Sequence, residues 1–145
     1  MSDDRKGLPV NPGALARPRG YSNGLLAPAG GRLLFIAGQI GWDREARIVS
    51  AEFERQFEQA LANVVTVVRE AGGEPHHICQ LTIYVVDKKE YLDDLQSLGR
   101  VYRSLMGDHD PTMALVEVAA LVDDGARLEI QGNAVLPAAT EEAAR

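Results

Sequence analysis

The sequence predicts an α+β domain in which one mixed β-sheet packs on two helices. The chain has 145 residues with 46% hydrophobic content, enough for one core and little more. Two segments repeat apolar residues at helical spacing, and several shorter ones are apolar runs of strand length bounded by turn residues. They follow one another as β-β-(β)-α-β-α-β-β, without an internal repeat.

Residues 1–20 contain Pro9, Pro12 and Pro18 and no sustained periodicity, so an extended arm that orders only against something else is expected. The single domain is expected over 21–136. A short strand at 21–26 leads into a turn at 27–31, where Pro28, Gly30 and Gly31 cluster. A β-rich run at 32–40 follows, and the two strands are predicted to form a hairpin. Residues 42–49 are charged and irregular and read as a loop with one short strand at 47–49.

Over 51–71, Phe53, Phe57, Leu61, Val64, Val65 and Val68 share one helical face, and Gly72 and Gly73 permit a left-handed stop. A strand is predicted at 78–86. Asp87 suits the N-cap of a second helix over 88–106, with Tyr91, Leu95, Leu98, Tyr102 and Leu105 facing the core and Gly107 ending it. Strands at 113–120 and 127–135 are joined by the turn Asp123-Asp124-Gly125. The alanine- and glutamate-rich tail at 137–145 is expected to fray.

Alternation along the strands assigns faces. Cys79, Leu81, Ile83 and Val85 form one apolar set and Leu128, Ile130, Gly132 and Ala134 another, and both are expected to meet the helices. The remaining face mixes Ile78, Gln80, Thr82, Tyr84 and Val86 with Met113, Leu115 and Glu117, and with Arg127, Glu129, Gln131 and Asn133. A half-apolar sheet face with no covering helix predicts burial against other copies of the chain. The competing reading is an open sheet with one solvated face.

A net charge of −6 disfavours nucleic acid, and no basic patch opposes that sign. Cys79 is the only cysteine, so an intrachain disulfide is excluded and a reducing, cytoplasmic setting is expected. No apolar run near the N-terminus suits a signal peptide or a membrane span, which predicts a soluble protein without a membrane partner.

Several short motifs stand in a characteristic order: Gly20-Tyr21-Ser22-Asn23-Gly24, Ile36-Ala37-Gly38-Gln39-Ile40, Ala60-Leu61-Ala62-Asn63-Val64, Ala71-Gly72-Gly73, Thr82-Ile83-Tyr84-Val85, Pro111 with Leu115-Val116-Glu117-Val118, and Leu128-Glu129-Ile130. None is specific alone, but together they resemble the Rid family of reactive-intermediate deaminases, also called YjgF or endoribonuclease L-PSP, over about 17–135. The resemblance implies a chorismate-mutase-like fold, a homotrimer whose sheets form a central barrel, and small-molecule pockets in the clefts between subunits. It also implies hydrolysis of enamines and imines such as 2-aminoacrylate to a keto acid and ammonia, without a cofactor.

That chemistry needs an anchor for the substrate carboxylate, an oriented water and a proton shuttle for the departing nitrogen. By resemblance, Glu129 orients the water, Tyr21 stands at the pocket edge, Gly38 allows close approach, and Leu115 replaces a residue often found as cysteine. The family anchor is an arginine two residues after the strand's proline; Met113 stands there instead. A lost two-pronged clamp removes about 3 to 6 kcal/mol of carboxylate binding.

Each of these residues also has a structural reading. Glu129 could pair with Arg127 or a neighbouring subunit, Tyr21 could be a packing anchor, Gly38 could serve close backbone approach alone, and Met113 suits an apolar cavity wall. Arg17 and Arg19 are candidates to replace the cation. His76, His77 and Cys79 lack the geometry expected of zinc ligands, and His109 reads as a loop residue, so no metal is expected. Three functions compete: an imine or enamine deaminase with altered substrate preference, a non-catalytic small-molecule-binding trimer, and an endoribonuclease or translation inhibitor, the last disfavoured by the charge.

Overall fold

A computed structural model describes residues 6–138. The predicted tail lies outside the described residues from position 139, as do the first five residues of the arm. The elements are β1 (Leu8–Val10), β2 (Gly24–Leu26), β3 (Arg32–Gln39), α1 (Phe53–Glu70), a 3-10 turn (Pro75–His77), β4 (Ile78–Val85), α2 (Lys88–Leu92), α3 (Leu95–Met106), β5 (Thr112–Glu117) and β6 (Leu128–Leu136). The main sheet runs β3-β6-β4-β5, antiparallel except for the parallel β4–β5 pair. Among the described residues no helix is long and apolar enough to cross a membrane.

The helix-forming stripes behave as their spacing requires. Phe53, Phe57, Leu61, Val64, Val65 and Val68 are buried against Leu81, Ile83, Leu128 and Ile130. Gly72 adopts φ 91°, and its neighbour Gly73 donates to Val68 O at 2.9 Å, closing the last turn of α1. Asp87 caps α2 by accepting from Lys89 N at 3.0 Å. The single helix expected at 88–106 is broken at Asp93 and Asp94 into α2 and α3.

The predicted hairpin of 21–26 with 32–40 does not form. β2 pairs with β1 inside the supposed arm, Leu8 opposite Leu26, while β3 pairs with β6. β2 is three residues long, whereas β6 offers β3 a nine-residue partner, so β3 joins the main sheet as the edge strand beside β6. Two bulges alter the faces. β4 carries one more residue than β6 between Ile78↔Ala134 and Gln80↔Asn133, so Ile78 is fully buried and Cys79 only partly. The expected helix-facing place of Cys79 thus belongs to Ile78.

Parallel pairing with β4 overturns a second face assignment. Met113 lies opposite Leu81 and Leu115 opposite Ile83, and both pack against the helix-side core rather than sharing a face with Glu129. Glu117 accepts from Lys88 N at 3.0 Å, at the start of α2. The other face carries Gln80, Thr82 and Tyr84, the β6 residues Glu129, Gln131 and Asn133, and the apolar Leu33 and Phe35, which are 57% and 76% exposed.

Gln56, fully buried on α1, ties three segments together. Its Nε2 donates to Ser50 O (2.8 Å) and Gly125 O (3.0 Å), and its Oε1 accepts from Arg127 N (2.7 Å). Gln56→Leu strands these three backbone groups and is expected to cost about 3 kcal/mol in denaturant unfolding. A change below about 0.5 kcal/mol would contradict this role.

Candidate functional site

The predicted site residues fall into two groups on opposite faces of the sheet. On the uncovered face, β3 has one residue more than β6 between Ile36↔Gly132 and Gln39↔Ile130. The bulge brings Gly38 beneath Glu129, where an added Cβ would stand 2.8 Å from the carboxyl carbon. Gly38 therefore makes room for this acid. The half-buried Glu129 carboxylate has no hydrogen-bond or ion-pair partner among the described residues. Arg127, an alternative partner in the sequence, pairs instead with Glu90, its Nε donating at 2.9 Å, and this raises the Arg127 pKa. Such a carboxylate can accept a proton from water without first leaving a cation.

The second group lies at the start of β5. Ser22 seats the segment before β2 there: its amide donates to Pro111 O at 3.0 Å and its hydroxyl to Asp110 O at 2.6 Å. Gly20, with φ 78°, reaches a cleft of about 140 Å³ between β4, β5 and the helices. Its walls include Ile83, Tyr91, Leu98, Tyr102, Arg103 and Met113. Tyr21 is 38% exposed and lines an adjoining groove with Arg17, Asp108 and Asp110. Leu115 packs on the core beside it.

The cleft holds little free polarity. Arg103 donates to Asp110 Oδ1 at 2.7 Å and to Gly107 O at 2.9 Å. The Tyr102 hydroxyl donates to His109 O at 3.1 Å, and burial holds its pKa far above the ordinary phenol range. Tyr91 is also raised by burial, and its hydroxyl has no partner among the described residues. Sequence spacing assigned both tyrosines to the core; their hydroxyl ends were the only sign of a cleft. Arg103 carried no such sign, because its pairing with Asp110 depends on the loop between α3 and β5.

The remaining polar candidates have structural places. His77 Nδ1 accepts from Glu74 N at 2.9 Å, and His109 Nε2 is 2.6 Å from Ile78 O. Burial lowers both imidazole pKa values, and for His77 the nearby His76 adds to the effect. Burial raises the Cys79 thiol. Among the described residues, no group of three or more His, Cys, Asp or Glu gathers as metal ligands. Arg17 and Arg19 are exposed, Arg17 beside Tyr21 and away from the Met113 walls.

Residues 13–136 match the family described as Endoribonuclease L-PSP. The human protein named 2-iminobutanoate/2-iminopropanoate deaminase is 29% identical over 125 residues, covering 86% of this chain and 83% of its own. A crystal structure of YyfB, a protein of unknown function of the conserved Rid family from Yersinia pestis, superposes with a TM-score of 0.78 at 26% identity, covering 90% of this chain and 99% of that one. The structure of E. coli TdcF with bound serine gives 0.61 at 29% identity, covering 86% and 92%. The family match across nearly the whole described chain, with relatives and solved structures that cover most of it, leads to one conclusion: this protein belongs to the endoribonuclease L-PSP family, the Rid family of its sequence motifs.

Proposed function

We propose that the protein hydrolyses the C=N bond of a small imine, or of the enamine that tautomerises to it, at sites completed between copies in a ring of three. The observation that carries this reading is the Glu129 carboxylate held over Gly38 without a partner among the described residues, a residue to which the sequence resemblance assigns the orienting of water. Relatives named 2-iminobutanoate/2-iminopropanoate deaminase, such as those of human and E. coli, support the reaction class at about 30% identity.

In this reading, Glu129 takes a proton from water as its oxygen adds to the imine carbon. It passes that proton to the nitrogen to give the neutral carbinolamine, then relays the carbinolamine's hydroxyl proton to the nitrogen as the C–N bond breaks, leaving a carbonyl compound, ammonia and the carboxylate as it began. Glu129 and the Met113 cleft lie on opposite faces of one sheet, so a substrate touching both needs a second chain. The exposed Leu33 and Phe35 supply an apolar surface for that contact. A native mass three times the 15.7 kDa of the chain is expected in sedimentation, and a stable single chain would contradict the shared site.

Met113 sets the substrate preference. Without a cation there, 2-imino acids lose their anchor, and uncharged imines become the better substrates. Ammonia release can be compared for 2-iminopropanoate formed in situ and for the imine that an amine oxidase forms from benzylamine. Faster catalysed hydrolysis of the neutral imine is expected. The reverse order would contradict the role given to Met113. The binding-only alternative draws on the same missing cation, and the absence of catalysis on either substrate would favour it.

A further inference from the structure

We infer that the Met113 cleft is a binding site for an uncharged, single-ring-sized apolar group carrying one hydrogen-bond acceptor, which the Tyr91 hydroxyl meets. The inference deepens the function proposed above, because it names the part of the substrate that does not react. Its evidence is separate from Glu129.

Size is the first observation. An apolar cavity of about 150 Å³ accepts benzene, and this cleft measures about 140 Å³. Ile83, Leu98 and Met113 give it apolar walls, and Met113 is flexible enough to fit an irregular ring.

Charge is the second. Arg103 is the one ionised side chain of the wall, and Asp110 and Gly107 O already hold its guanidinium. A ligand carboxylate would have to compete with a carboxylate of the protein for that cation, and would otherwise enter an apolar space unpaired. An uncharged ligand meets neither obstacle.

The tyrosines give the third. Tyr102 spends its hydroxyl on His109 O, whereas Tyr91 in the same wall has no partner among the described residues. A half-buried phenol is neutral, and burial raises its pKa further, so its hydroxyl is available as a donor to an acceptor in the cleft. The ligand therefore needs one carbonyl or imine lone pair, placed where the ring fills the cleft.

Gly99 supplies a clean test. It lines the cleft from α3, and a Cβ built on it meets nothing within 4 Å. Gly99→Leu exchanges a poor helix former for a good one while directing a side chain back toward Leu95 and Tyr91, over the cleft. The variant is expected to fold at least as stably as the parent.

Binding of benzamide and of benzoate, matched in size but not in charge, is measured by calorimetry and ligand-observed NMR on the full chain. Benzamide is expected to bind at least about tenfold more tightly than benzoate. Gly99→Leu is expected to abolish benzamide binding, and Tyr91→Phe to weaken it by about fivefold to tenfold with an unchanged unfolding midpoint. Equal binding of benzoate, undiminished binding to Gly99→Leu, or no benzamide binding to the parent chain would overturn the inference. An unaffected Tyr91→Phe would overturn the role of that hydroxyl. Benzamide binding without any imine hydrolysis would refute the proposed reaction and leave this site standing, so the two failures are distinguishable.

Discussion

Replacing Glu129 with glutamine is expected to lower catalysed imine hydrolysis by about 10²- to 10⁴-fold, the usual contribution of a positioned acid–base group. Glutamine keeps the size and one carbonyl oxygen of the side chain, so the contact with Gly38 survives and water can still be held. It cannot take the proton that water loses on adding to the imine carbon. The half-exposed carboxylate has no internal partner among the described residues, so its loss should leave the unfolding midpoint nearly unchanged. Gly38→Ala acts in the same direction by a different route, because its Cβ would stand 2.8 Å from the Glu129 carboxyl carbon and push the acid aside. Ammonia release under single-turnover conditions reads both variants. A Glu129→Gln loss smaller than about threefold would remove this residue from the reaction.

The second large effect is a gain. Met113→Arg is expected to raise hydrolysis of 2-iminopropanoate by about 10- to 100-fold, the gain from a single charge-assisted bond of about 1.5 to 3 kcal/mol to the carboxylate. Met113 lines the cleft at the start of β5, beside Arg103, whose charge Asp110 already balances. The added guanidinium therefore joins a pair rather than a bare cation. The same substitution should weaken benzamide binding, because it places a charge in an apolar wall. Combining it with Glu129→Gln should cancel the gain. A variant that folds and binds the carboxylate but releases no more ammonia would favour binding without catalysis.

Much of the fold was legible because its signals are local. The stripe from Phe53 to Val68 fixes α1 with no knowledge of its neighbours, Asp87 marks a helix start through its capping side chain, and Gly72 and Gly107 mark helix ends through their backbone freedom. Pairing was less legible. β2 lies beside β1 rather than β3 because β6, almost a hundred residues away in sequence, is the longer partner for β3. The face of Met113 depends on parallel register with β4, and a one-residue change of register reverses it, so composition alone could not assign it. The bulge at Cys79 is likewise a property of two strands together. Within the site, motif order singles out Gly38 and Glu129, and the structure places them in contact. Tyr91, Gly99 and Arg103 stayed hidden because each reads as an ordinary helix residue until β5 is laid alongside.

In the proposed ring of three, the cleft of one copy and the Glu129 of another make a single site. Mixing refolded wild-type chains with chains carrying both Met113→Arg and Glu129→Gln tests it most directly on 2-iminopropanoate. Neither parent has the new cation and the acid together in the same chain. Random assortment into rings of three should give about a quarter of the sites both groups from neighbouring copies, and activity should recover to about that fraction of the Met113→Arg protein. Mixed rings that form, as judged by mass, yet stay as inactive as their parents would contradict it.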